Sequence, residues 1–95
     1  MSITIAGVDF ANHSYDERGD VLYVDVAGYD GSTFSPHAYA SPEGHGIEFD
    51  EDWRVIAMTL VNFKSLIERD GEFKITWPDG RVSHDAPSDV LVAAA

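Results

Sequence analysis

Apolar residues in this chain recur mostly with a period of two, the spacing of a strand with one buried face. Between Val21 and Val26, Leu22, Val24 and Val26 share one face while Val21, Tyr23 and Asp25 share the other, which predicts a strand. Asp16-Glu17-Arg18-Gly19-Asp20 precedes it. A glycine among short polar residues is the chemistry that supplies a positive φ in a hairpin loop, so Asn12 to Tyr15 should pair with Val21 to Val26. Farther on, Ile47 and Phe49 alternate with Glu48 and Asp50, an acidic Asp50-Glu51-Asp52 follows, and the chain returns through Arg54 to Val61. That return is apolar on both parities and reads as a central strand, its far side to be covered by a helix or a partner subunit.

Helical spacing enters once. Phe63, Leu66 and Ile67 fall on one face, with Asn62 placed to cap the start and Gly71 to stop the end, predicting a short helix over about Phe63 to Arg69. Strand periodicity resumes from Glu72 to Trp77 with Phe73, Ile75 and Trp77 inward. Pro78-Asp79-Gly80 then marks a turn, and Arg81 to His84 can return as an edge strand. Gly28 to Gly44 reads as a loop, or as an irregular strand around Phe34 to Tyr39. The tail from Ala86 to Ala95 has a Ser/Asp cap and reads as a last helical turn or a fraying end. The fold class is therefore α+β: a mainly antiparallel β-sheet of about five strands with one short α-helix after the central strand.

Length and composition narrow the class. The 95 residues, 44% hydrophobic and 12% aromatic, suit one small domain over 1–95 with a single core. Seventeen acidic against six basic residues give a formal charge of -11, which repels phosphate backbones and anionic membrane surfaces; such an excess first of all keeps a small protein soluble, and it can also complement a basic protein partner. There is no cysteine, which removes disulfides, thiolate nucleophiles and Cys-based zinc sites. The N-terminus lacks a basic and an apolar signal region, and no stretch approaches the roughly 18 apolar residues of a membrane span, so the expected location is the cytoplasm. So apolar a central strand in so small a domain also predicts a homodimer.

Tyr15-Asp16, Asp20-Val21-Leu22-Tyr23-Val24, Gly46 to Asp52 and the apolar strand from Val55 to Leu60 together resemble DUF2283, a family of small bacterial and archaeal proteins of unknown function. The resemblance covers about 14–66, with 71–95 as an extension. It implies a small β-rich domain with one helix. Because some proteins that look like this family are encoded beside small basic toxin-like proteins, it also implies an antitoxin-like partner role. Trp53 departs from the pattern, standing where such proteins have a glycine in the acidic turn. That means a different loop geometry or a bulky residue at a strained position.

Candidate chemistry is sparse. Of the four histidines, His13, His45 and His84, with nearby carboxylates, are the candidates for a metal site or for a small hydrolase. No His-x-His or His-Glu-x-x-His spacing supports them, and His45 and Glu48, three apart, would face opposite sides of a strand. The serines lie in no nucleophile elbow, and the glycines form no phosphate cradle or dinucleotide fingerprint, so no cofactor is implied. Asp50, Glu51 and Asp52 read as a solvated hairpin tip. Tyr15 and Tyr23 are candidates for facing each other across the first hairpin. Trp53, in an acidic turn, either folds back on the domain or contacts a partner subunit, and as a candidate contact residue it is joined by Asp50, Glu51, Asp52 and Tyr15. The leading expectation is a non-enzymatic interaction module for a basic protein, and the alternative is a small ligand- or metal-binding domain.

Overall fold

A computed structural model describes residues 3–30 and 32–86. Among these residues nine strands and one helix follow in order: β1 (Ile3–Ile5), β2 (Val8–Phe10), β3 (Asn12–Asp16), β4 (Val21–Asp25), β5 (His37–Ala40), β6 (Gly46–Phe49), β7 (Val55–Val61), α1 (Phe63–Asp70), β8 (Phe73–Thr76) and β9 (Val82–Asp85). β3-β4-β7-β6-β5 form a five-stranded antiparallel sheet, as the periodicity predicts, and β1-β2 and β8-β9 are separate antiparallel hairpins.

One face of the large sheet builds the core. Leu22 and Val24 of β4, Met58 and Leu60 of β7, and Ile47 of β6 are buried there against Phe63 and Ile67 of α1. The two hairpins close this layer with Ile3, Ile5 and Phe10 from one and Phe73 and Ile75 from the other. Burying an aliphatic or aromatic side chain is worth about 1.5–3 kcal/mol, so the hairpins are integral to a domain of this size. The hairpins are also pinned by polar bonds. The Asp85 carboxylate accepts the Ala6 N–H at 3.1 Å, and Glu43 accepts the Thr76 N–H at 3.0 Å and its hydroxyl at 2.6 Å.

The opposite face of the sheet is partly covered by the chain itself. Tyr29 and Ser35 donate their hydroxyls to Glu48 of β6, at 3.0 and 2.8 Å, folding residues of the 26–36 loop over that face. Ala57 of β7 is buried there, opposite Glu48, while Tyr23 is left 45% exposed. A one-residue irregularity where β6 meets β7 near Phe49 bends this end of the sheet.

Three details differ from the sequence reading. Tyr15 stands opposite Leu22 and Tyr23 opposite Ser14, so the two tyrosines occupy opposite faces and do not meet; Tyr15 packs on Phe63 instead. The positive φ of the β3–β4 turn falls on Asp20, at 55°, rather than on Gly19. Asn62 precedes α1 as predicted, but it is left-handed and its side chain makes no cap bond. The cap comes from Asp20, whose carboxylate accepts the N–H groups of Lys64 at 2.8 Å and Ser65 at 3.0 Å and the Ser65 hydroxyl at 2.7 Å. The predicted C-terminal turn lies, but for Ala86, outside the described residues.

Candidate binding groove

Three loops of this fold share one hydrogen-bond pattern. In Ser41–His45, Asp50–Arg54 and Trp77–Arg81 the first residue's N–H bonds to the fifth residue's carbonyl, and the fourth residue's N–H returns to the first residue's carbonyl. That closure places the fourth residue in the left-handed region. Gly44 and Gly80 fill it in two of the loops, at φ 95° and 89°. In the third it is Trp53, at φ 61°. A side chain there costs about 1–2 kcal/mol relative to glycine, so the bulky-residue alternative raised by the sequence is the one realised.

What holds Trp53 is stacking. Its ring lies on His37 of β5 with centroids 3.9 Å apart and planes within 10°, and it tilts against Phe49 at 5.3 Å. The residue nonetheless remains 56% exposed. It forms one wall of a cavity of about 440 Å³, whose other wall is Trp77 and Pro78 and whose floor includes Phe49 and Val55. Trp77 is fixed by its indole N–H, which donates to Ser83 at 2.6 Å, and Arg81 beside it pairs with Asp79 at 2.6 Å.

The acidic tip next to Trp53 is organised by the loop itself. Asp50 Oδ1 accepts the N–H groups of Asp52 and Arg54 at 2.8 and 2.9 Å, and Arg54 spans both aspartates through its guanidinium. The Arg54 N–H bond, outweighing slight burial, holds the Asp50 carboxyl below its ordinary range, with further help from Asp52 and Arg54. Asp50 thus spends its oxygens on the turn.

The other predicted site residues lie apart. Tyr15 lies at the helix N-terminus: it donates to Asp20 at 2.8 Å and carries Lys64 Nζ over its ring at 4.6 Å. His13 is exposed on edge strand β3, and His84 on β9 pairs with Glu72 at 2.9 Å. His45 is fully buried against Phe73, and its Nδ1 accepts the Val61 N–H at 3.1 Å. The ring is therefore neutral with its proton on Nε2, which makes no hydrogen bond of ordinary geometry. Burial pushes the His45 pKa down, against the opposing influence of Glu43 and the Lys74 carbonyl. Among the described residues no three or more His, Asp or Glu side chains converge in a way that could hold a metal ion.

Trp77 is the groove residue that sequence reasoning missed, because its place in an alternating strand assigned it to the core. The available signal was Pro78 next to it, which puts Trp77 at the first position of a turn. No helix among the described residues is long and apolar enough to cross a membrane. Compared with family models, curated proteins and solved structures, the chain finds no match, so the resemblance to DUF2283 stands on its motif residues alone.

Proposed function

We propose that this chain is a non-enzymatic interaction domain that engages a basic protein, in an antitoxin-like manner, through the surface around Trp53 and the Asp50–Asp52 tip. The observation that carries the reading is Trp53 itself. Two sister loops hold glycine at the same backbone position, whereas this one holds a half-exposed tryptophan. Strain kept at an exposed aromatic points to recognition, and tryptophan is the residue most enriched where binding energy concentrates. The formal charge of -11 favours a cationic partner and speeds encounter with it.

The test is native mass spectrometry of the assembly recovered from the host at low salt. A stoichiometric basic protein, released by added salt and absent when Trp53→Gly is the bait, supports the proposal. Recovery of the homo-oligomer alone overturns it. The 440 Å³ groove favours one second reading, a small-ligand site, which a thermal shift on adding aromatic compounds would reveal.

A further inference from the structure

Two turns bring the groove its tryptophans, Trp53 from Asp50–Arg54 and Trp77 from Trp77–Arg81, beside Val8 of β2 and Ser83 of β9. The indole donor of Trp77 is matched by Ser83, and Arg81 pairs with Asp79 on the exposed rim. What the groove offers is mainly apolar: the indoles of Trp53, whose ring also stacks on His37, and of Trp77, with Pro78, Phe49 and Val55.

That is the surface a polyproline II segment fits. Such a segment is pre-extended, has no internal hydrogen bonds and shows prolyl rings to aromatic grooves. The Trp53 indole N–H has no acceptor among the described residues and is available to a peptide carbonyl. Glu51 and Asp52 precede Trp53 in the same turn and are exposed. The Arg54–Asp52 pair is 74% and 75% exposed, so it is held weakly and can yield to an incoming cation.

We infer that the groove takes an extended, proline-bearing segment of a basic protein, with an Arg or Lys flanking the prolines set against Glu51 and Asp52. This rests on the interaction-domain reading and names the chemistry of its partner.

The experiment titrates tryptophan fluorescence of the whole chain with short synthetic peptides: an Arg-flanked Pro-x-x-Pro peptide, its Pro→Ala form, its Arg→Glu form, and a neutral oligosaccharide as competitor. The first should bind, and each peptide change should weaken it about tenfold or more. Trp53→Gly and the double variant Glu51→Gln/Asp52→Asn should weaken it similarly, with circular dichroism confirming the fold. Equal binding of the proline-free basic peptide, still dependent on Trp53, overturns this inference and leaves the basic-partner reading standing. Binding unaffected by Trp53→Gly, or displacement by the oligosaccharide, overturns the inference also. Failure of every cationic peptide overturns the inference, and the basic-partner reading falls with it only when the host recovery also yields the homo-oligomer alone.

Discussion

Asp20 caps the helix through Ser65, receiving its backbone N–H at 3.0 Å and its hydroxyl at 2.7 Å from across the fold. A turn between β3 and β4 thereby does the work that the residue preceding α1 leaves undone. Burial alone would raise the Asp20 pKa, but the Ser65 hydroxyl, the Lys64 N–H, the Tyr15 hydroxyl and the Ser65 N–H outweigh it and bring it to about 2. The unfolded chain, with an ordinary carboxyl near 3.8, binds more protons in between. Stability is therefore fully present above about pH 4 and is lost as pH falls toward 2. Asp20→Ala should cost about 2 kcal/mol in urea unfolding at pH 7. Asp20→Asn, which keeps an acceptor but no charge, should lose less and flatten the acid limb.

Tyr15→Phe tests the other half of that cluster. Its hydroxyl, pushed up to about 12 by burial and then by the bond to Asp20, stays protonated throughout the physiological range. Removing it leaves the ring on Phe63 and deletes one charge-assisted bond, at a cost of about 1 kcal/mol. Proton-carbon NMR of Asp20 should show its titration midpoint move up, since one of its donors has gone. An unchanged midpoint would remove Tyr15 from the cap.

Trp53→Gly separates stability from recognition. Relief at φ 61° gains about 1 kcal/mol, while loss of the stack on His37 and Phe49 gives back about 0.5–1.5 kcal/mol. Denaturant midpoints of the two chains should lie within about 1 kcal/mol of each other, and partner binding should fall in the variant alone. A loss of several kcal/mol would make Trp53 a structural residue.

His45 gives the chain a second acid sensitivity, at milder pH. Its ring must be unprotonated at Nδ1 to accept from Val61, and burial holds its pKa below 6.5. The folded state thus disfavours the proton that the unfolded state takes, so stability is full above about pH 6.5 and declines as pH falls below it. Thermal melts between pH 7.5 and 5 should show this slope in the parent, with a flatter one in His45→Gln. Glu43 is the charged neighbour, Lys74 contributing only its backbone carbonyl, and Glu43→Gln should steepen the decline by removing an anion that favours the imidazolium.

Most of the sheet was legible because it follows from alternation. Leu22, Val24, Ile47, Phe73 and Ile75 all point inward as their parity requires. The N-terminal hairpin was not read, although Ala6-Gly7, at φ 54° and 79°, makes the two-residue turn that its flanking Ile5 and Val8 need. Ser41-Pro42-Glu43-Gly44 passed as loop even though it repeats the proline and glycine placement of Trp77-Pro78-Asp79-Gly80. Reading those turns as equivalents would have put β5 and β6 in one hairpin. Of the groove, Trp53 was visible through its misfit in an acidic turn. Its meeting with Trp77 was not, since it depends on how two separate sheets pack and no local spacing encodes that. The helix cap from Asp20 was hidden for the same reason.

The two walls of the groove belong to different sheets, and that sets its mechanical character. Thr76 is anchored to Glu43, whereas the Trp77–Arg81 turn just beyond it reaches the large sheet by a long Tyr39 hydroxyl bond of 3.5 Å to the Trp77 carbonyl. Each indole is thus set by its own sheet, Trp77 through Ser83 and Thr76 through Glu43, and Trp53 through the closure of its loop. The width of the groove is therefore a property of how the two sheets pack, which a substitution in the core can change without touching either indole.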